Sequence, residues 1–189
     1  MDKAQPSLFE ELATEPNGFR YQPALISAAK ESSLVEEMKR LPFAPFDFHG
    51  FVGKRRVVSF GWKYSFNGGG LRKTQDVPGF LLQLREAAAS FAGLEAGALE
   101  HVLLTEYAPG AAIGWHKDRP VFGDVVGISL LSPCTFRFRR QAKSKWDRIS
   151  FLTEPRSVYL LQGPARTDWE HSIPPVPHLR YSVIFRNFR

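Results

Sequence analysis

The spacing of apolar residues divides the chain into two helical segments followed by a region of strands. Between residues 24 and 41 apolar side chains recur every three or four positions until Pro42 ends the run, so a first helix is predicted. A second helix is predicted over 78–91, with a proline at its start and Gly93 after its end. After residue 100 the apolar period falls to two, which is the period of strands.

Seven or eight short strands are predicted in this last region, separated by glycine, proline or charged turns. They fall near 101–107, 112–117, 124–131, 134–140, 147–153, 157–162, 168–173 and 179–187. Many short strands without an internal repeat favour a double-sheet jelly-roll barrel, with the two helices bracing one sheet from outside. The predicted fold class is therefore α+β, dominated by β.

The segments outside the helices and strands suggest a simple domain organisation. Residues 1–23 show no sustained period and contain several prolines, so we interpret them as an N-terminal tail that enters the fold near Phe19. Residues 24–189 form one predicted domain, with an aromatic lid over about 43–75 and the jelly roll over about 101–189. The lid is rich in aromatic residues and contains three consecutive glycines, which permit large backbone movements.

Composition and charge then narrow the class of protein. The 189 residues are 43% hydrophobic and 23% charged, as in one globular domain. No apolar stretch has the length of a membrane span and the N-terminus has no apolar signal core, so a cytoplasmic, monomeric protein without a membrane partner is expected. The single cysteine, Cys134, cannot form an intrachain disulfide, which favours a reducing compartment and leaves histidines and carboxylates as metal ligands.

Basic residues contribute a second, weaker signal. The net charge of +6 is a mild indication of a polyanionic partner. Six arginines and lysines between residues 137 and 148 surround one predicted hairpin. They fit a solvated strand edge protected against aggregation as well as they fit a contact with a polyanion.

Three residues form a candidate metal site. His116 and Asp118 are two positions apart at the end of a predicted strand, so their side chains point to the same face. His171 follows 53 residues after Asp118 in another predicted strand. Two histidines and one carboxylate with open coordination positions are the ligand set of non-haem Fe(II) oxygenases. The His-x-Asp triplet also occurs by chance, and each histidine alone is compatible with a surface or core role.

The C-terminal strand adds a candidate anion site. Arg180 and Arg186 lie on the same face of this strand, because their separation is an even number of residues. The planar guanidinium of arginine makes paired hydrogen bonds to carboxylates, so the two could hold a small dicarboxylate beside a metal. An edge strand with solvated arginines is the alternative.

With these motifs in order, the chain resembles the AlkB-type Fe(II)/2-oxoglutarate-dependent dioxygenases over about residues 60–189. The matching segments are 105–110 (TEYAPG), His116 to Asp118, Ser129-Leu130 with Pro133, 163–166 (GPAR), His171 and 180–186 (RYSVIFR). This resemblance implies Fe(II) bound by His116, Asp118 and His171, with 2-oxoglutarate and O2 as cosubstrates. It implies 2-oxoglutarate contacts from Tyr107, Arg180, Arg186, Thr105 and Ser182.

The roles implied by the resemblance differ along the cosubstrate. Arg180 and Tyr107 would hold its far carboxylate, while Arg186 would lie near the metal end and brace Asp118. Thr105 and Ser182 stand where founding members of the family carry asparagine, and each still offers a hydroxyl.

The family also implies a substrate class. Its DNA-repair members remove methyl and other alkyl groups from base nitrogens by hydroxylation, after which formaldehyde is released. Alkylated DNA or RNA is therefore the expected partner, with Trp62 and Tyr64 of the lid placed to stack on a flipped base. Pro120 stands where those members carry an acidic residue that helps to hold the damaged base. The same chemistry on a protein side chain or small molecule, and a non-catalytic binding module, are the alternatives.

Overall fold

Strands account for most elements of the fold in the computed structural model, which describes residues 15–48, 51–65 and 70–189. The helices are α1 (Ala28–Lys39), α2 (Gly79–Ala92) and the short α3 (Gly163–Thr167). The strands are β1 (Phe19–Gln22), β2 (Ala44–Phe48), β3 (Phe51–Phe60), β4 (Trp62–Ser65), β5 (Gly70–Lys73), β6 (His101–Tyr107), β7 (Ile113–His116), β8 (Phe122–Leu130), β9 (Cys134–Ala142), β10 (Lys145–Thr153), β11 (Val158–Leu161), β12 (Glu170–Ile173) and β13 (Arg180–Phe188). No helix of this described part is long and apolar enough to cross a membrane.

The strands form two main sheets and one hairpin. The large sheet has the order β1-β11-β8-β13-β6-β3-β2, and the small sheet has the order β10-β9-β12-β7. Strands β4 and β5 pair separately. In both main sheets, most strands that pair with each other are not consecutive in the sequence. This topology is typical of a double-stranded β-helix, so the predicted jelly roll is confirmed.

The two long helices pack on the large sheet, as the sequence predicted. Leu34 and Met38 of α1 and Leu81 and Leu84 of α2 belong to one buried cluster that also contains side chains of β6, β8 and β13. Burying such a side chain contributes about 1.5–3 kcal/mol, so this cluster fixes the helices in place. Helix α1 begins at Ala28 instead of residue 24, because the Ser27 side chain accepts a hydrogen bond from the Lys30 amide and caps the helix.

The space between the sheets holds a second, aromatic cluster. Phe19 of β1 packs on Phe138 with a ring-centroid distance of 5.2 Å and on Phe151 at 4.7 Å. The predicted tail is therefore too long, since residues 19–22 form an edge strand of the large sheet by pairing with β11. A strand of four residues is too short to show its period in the sequence.

The predicted lid is also smaller than its sequence suggests. Strand β3 pairs with β6 from Arg55 to Phe60, and β2 pairs with β3, so both belong to the large sheet. Only the β4–β5 hairpin stands apart from the barrel sheets. Two of the three consecutive glycines lie outside the described residues.

Candidate metal centre and cosubstrate pocket

The small sheet brings the three candidate metal ligands together. His116 at the end of β7 and His171 in β12 are cross-strand partners, and their ring centroids are 4.3 Å apart. Asp118 follows β7 by two residues. One ligand atom from each of the three side chains lies within 4.8 Å of the others. The spacing predicted that His116 and Asp118 share a face, the resemblance implied His171, and the register between β7 and β12 brings the three together.

Charge and burial keep the Asp118 and His171 side chains in the deprotonated forms that bind a cation. Burial is the largest single influence on the pKa of Asp118 and acts to raise it, but Arg186 and the weaker positive influences of His171, His116 and Arg166 together hold that pKa well below its usual range. Burial lowers the pKa of His171 to about 3, so its imidazole is neutral at physiological pH and keeps a lone pair for a metal. The His171 Nε2 and Asp118 Oδ2 atoms are 3.6 Å apart.

The orientation of His116 also favours metal binding. Its Nδ1 atom lies 3.0 Å from the carbonyl oxygen of Gly114, which can only accept a hydrogen bond. Nδ1 therefore acts as the donor, which leaves Nε2 of the neutral ring to bind a metal. A backbone partner of this kind fixes the ring orientation of a metal-binding histidine.

Arg186 braces Asp118, as the resemblance implied. Its Nε and Nη2 atoms lie 2.9 Å and 2.6 Å from Asp118 Oδ1. On its other side, Nη1 lies 3.3 Å from Nδ1 of His101, its cross-strand partner in β6. Burial and the Arg186 charge lower the pKa of His101 to about 3, so the neutral ring accepts this hydrogen bond.

His101 is therefore a positioning residue that sequence reasoning missed. We expect His101→Ala to free the Arg186 guanidinium and to weaken Fe(II) binding by about tenfold or more, as for other residues that orient metal ligands. His101→Gln, which retains an acceptor, should restore part of the affinity. Anaerobic metal titration with parallel thermal unfolding measures both effects. Equal metal affinity in wild type and His101→Ala would contradict this role.

A buried arginine holds the loop that follows Asp118. Arg166 of α3 is 5% exposed and donates hydrogen bonds to the carbonyl oxygens of Arg119, Phe122 and Gly123. The first carbonyl directly follows Asp118, and the other two belong to the first residues of β8, so Arg166 spans the short loop between them. Helix α3, which was not predicted, thus fixes the path of the chain beside the metal site.

A second set of polar side chains lines the barrel interior at Arg180. This side chain is 1% exposed, donates from Nε to the Ser129 hydroxyl at 3.2 Å and lies 4.8 Å from the Tyr107 ring centroid. Ser182 is the cross-strand partner of Thr105 on one side and of Ser129 on the other. All five residues project from neighbouring strands of the large sheet.

Two atoms of this set point to a ligand. Arg180 Nη1 and the Ser182 hydroxyl are buried without a hydrogen-bond partner in the described part of the chain. A buried polar group without a partner costs about 1–3 kcal/mol, so the pocket suits a molecule that supplies acceptors. A carboxylate fits both the guanidinium and the hydroxyl.

Tyr159 is a further pocket residue that the sequence did not reveal. Burial strongly raises the pKa of this tyrosine. The charge of Arg180 acts to lower the same pKa, and the charge of Asp118 acts to raise it. A Cβ atom added to its cross-strand partner Gly127 would lie 2.1 Å from the Tyr159 ring. The absence of a side chain at Gly127 is therefore what leaves room for the ring, which packs against Phe136 in the aromatic cluster.

The two aromatic residues predicted for the substrate occupy different positions. The Trp62 indole donates to Glu100 Oε2 at 3.4 Å and meets the Phe188 ring edge-on at 5.6 Å, so it contacts the barrel. The Tyr64 ring lies 5.3 Å from the guanidinium of Arg119, which is adjacent to Asp118. Tyr64 is thus beside the loop that carries a metal ligand.

Comparison with known sequences gives this arrangement a family. A sequence profile described as the 2OG-Fe(II) oxygenase superfamily matches residues 18–182. The chain belongs to this superfamily. Members of this superfamily use Fe(II), 2-oxoglutarate and O2. The triad and the partnerless atoms at Arg180 and Ser182 fit the metal and the cosubstrate.

The chain is also similar to curated relatives that carry AlkB-type names. It is 27% identical to the alkylated DNA repair protein ALKBH8 homolog of Arabidopsis thaliana, over 88% of this chain and 54% of the relative. It is 29% identical to the mitochondrial alpha-ketoglutarate-dependent dioxygenase alkB homolog 7 of Mus musculus, over 80% of this chain and 65% of the relative. The chain thus spans about half to two thirds of the length of these relatives. A cytoplasmic location and a monomeric state stay predictions.

Solved structures agree on the fold. The structure of OsALKBH1 aligns with a TM-score of 0.66 at 13% identity, covering 90% of this chain and 98% of that one. An oxidoreductase of the 2OG-Fe(II) oxygenase family from Burkholderia pseudomallei aligns with a TM-score of 0.65 at 16% identity, covering 90% and 85%. At these identities the likeness concerns the jelly roll alone.

Proposed function

We propose that this oxygenase oxidatively removes N-alkyl groups, in particular methyl groups, from nucleobases in DNA or RNA. Hydroxylation of such a methyl group produces an unstable hydroxymethyl amine, which releases formaldehyde and the bare base. The observation that carries the proposal is that the Tyr64 ring of the β4–β5 hairpin lies 5.3 Å from the guanidinium of Arg119, the residue that follows Asp118. An aromatic ring and a cation at the entrance are the groups that a flipped nucleotide needs.

Two relatives support this substrate class by their names. One is the alkylated DNA repair protein homolog of Arabidopsis thaliana, and another is a probable RNA/DNA demethylase, ALKBH6, of Danio rerio. The zebrafish protein is 25% identical over 81% of this chain. The net charge of +6 also suits a nucleic-acid partner.

The proposed division of work follows the geometry of the pocket. Bound iron, 2-oxoglutarate and O2 supply the oxidising chemistry. His116, Asp118 and His171 hold the metal, and Arg186 keeps the Asp118 carboxylate in place. Arg180, Tyr107, Thr105 and Ser182 hold the cosubstrate. The buried walls exclude water from the reacting groups.

The direct test is a panel of methylated DNA and RNA oligonucleotides incubated with Fe(II), 2-oxoglutarate and the purified protein. We expect loss of 14 mass units from at least one substrate, with formaldehyde and succinate formed in equal amounts. Succinate formation without change in any oligonucleotide would contradict the nucleic-acid assignment. Absence of succinate with iron bound would instead indicate a binding module.

Pro120 favours a second candidate, namely the same oxidation of a protein side chain or a small molecule. This exposed proline lies two residues after Asp118, where DNA-repair members of the family carry an acidic residue for the base. Proline has no side-chain acceptor, so a base nitrogen would lose that partner. A peptide library incubated under the same conditions and read for a gain of 16 mass units separates this candidate from the first.

The lid aromatics provide a prediction for the proposed substrate. We expect Trp62→Ala and Tyr64→Ala to weaken binding of a methylated oligonucleotide by about fivefold to a hundredfold, since a stacked base contributes about 1–3 kcal/mol. Tyr64→Phe retains the ring and serves as the matched control. Fluorescence anisotropy measures binding, and succinate formation without substrate should stay nearly unchanged. If Trp62→Ala lowers only thermal stability, Trp62 serves the packing against Phe188 alone.

A further inference from the structure

The outward face of the small sheet carries a stack of arginine and tryptophan side chains. Phe136 and Phe138 of β9 point into the barrel and are buried, so the alternating residues Arg137 and Arg139 point outward. The Trp115 ring lies 4.9 Å from the Arg137 guanidinium and 4.6 Å from that of Arg139. The Trp146 ring of β10 lies 4.5 Å from Arg139 on the sheet. We name Trp115, Arg137, Arg139, Trp146 and Arg148 the Arg-Trp face.

Positive charge exceeds negative charge on this face. Arg139 is paired with Glu170 at 2.5 Å. Arg137 instead donates to the Ser172 hydroxyl at 3.0 Å, and Arg148 of β10 is directly opposite Arg139 across the strands. Neither Arg137 nor Arg148 forms an ion pair within the described ranges. Like charges directly opposite each other in a sheet are destabilising, so this arrangement favours binding of an anion.

The exposed apolar residues argue against a purely protective role for the charges. Trp146 is 41% exposed and Leu152, on the same strand, is 54% exposed. Charged residues on the edge strand β10 would oppose aggregation, whereas the exposed Trp146 indole beside them gives no such protection. An exposed ring among guanidinium groups is instead the combination that binds single-stranded nucleic acid, through base stacking and phosphate contacts.

The face adjoins a groove that reaches Lys117. A groove of about 470 Å³ is lined by Trp146, Arg139, Glu170 and Lys117, among others. Lys117 lies between the candidate metal ligands His116 and Asp118 in the sequence. A strand whose target base occupies the active site could therefore pass along this groove onto the Arg-Trp face.

We propose that the Arg-Trp face binds the single-stranded nucleic acid that flanks the target base. Phosphates contact Arg137 and Arg148, and a base stacks on Trp146. This inference rests on the proposed function, but it concerns a surface on the opposite side of the small sheet from the metal ligands. It predicts that substrates with flanking nucleotides bind more tightly than short ones.

The test measures anisotropy of a labelled, unmethylated 12-nucleotide single strand at increasing salt concentrations. Each lost phosphate contact lowers the slope of log affinity against log salt by about 0.7, so Arg148→Gln should have a shallower slope than wild type. Trp146→Ala should weaken binding by about fivefold or more. Arg40→Gln, which removes an exposed charge just after the end of α1, is the matched control and should behave as wild type. Uncoupled succinate formation should be the same in all variants.

The outcomes separate this proposal from the proposed function. If wild type demethylates an oligonucleotide while both face variants bind the single strand like Arg40→Gln, the Arg-Trp face proposal is overturned and the function stands. If the face variants lose binding but no methylated oligonucleotide reacts, the face is supported and the function falls. Failure of the wild-type protein to bind the single strand, or binding of an acidic peptide in its place, also overturns the face proposal.

Discussion

Asp118→Ala is expected to abolish both Fe(II) binding and succinate formation, and to destabilise the fold. The carboxylate is one of the three candidate metal ligands, and its side chain is 6% exposed beside Arg186. Removing it leaves the Arg186 charge buried without its partner, which costs about 3–5 kcal/mol. Anaerobic metal titration, succinate assay and thermal unfolding together measure the three effects.

His171→Ala separates metal binding from stability. Its imidazole is neutral at physiological pH, because burial lowers the pKa to about 3, so its removal leaves no unpaired charge. We expect loss of iron binding and of turnover with a smaller change in unfolding temperature than for Asp118→Ala. Stoichiometric iron and normal turnover in His171→Ala would refute the assignment of the metal site.

Arg180→Ala is expected to raise the KM for 2-oxoglutarate by tenfold or more while iron binding persists. A hydrogen bond to a charged group contributes about 1.5–3 kcal/mol, which corresponds to about a tenfold to hundredfold change in affinity. The partnerless Nη1 atom of this buried side chain is what the cosubstrate carboxylate would contact.

Arg180→Lys tests whether geometry or charge is required. Lysine keeps the positive charge but lacks the planar fork, so it should restore only part of the affinity. Steady-state succinate formation at varied 2-oxoglutarate gives KM, and circular dichroism checks that each variant folds. An unchanged KM in Arg180→Ala would show that another group holds the far carboxylate.

The sequence predicted the barrel and the shared faces of two pairs of candidate site residues, because both follow from local patterns. The change of period after residue 100 predicted strands that the structure places within a few residues of the expected bounds. The two-residue spacing of His116 and Asp118 on one strand end, and the even spacing of Arg180 and Arg186, placed each pair on a common face. These inferences need only the alternation of side chains along a strand.

Only the tertiary structure decided which residues support those groups. His101 contacts Arg186 through the register of β6 and β13, and Tyr159 enters the barrel because Gly127 lies opposite it in β8. Each pair is separated by tens of residues in the chain, so no local pattern records the contact. Likewise, strand β1 forms because it pairs with β11, and its own four residues are too few to predict a strand. Cross-strand register brings distant side chains within hydrogen-bond distance, and it is set by the packing of the whole barrel.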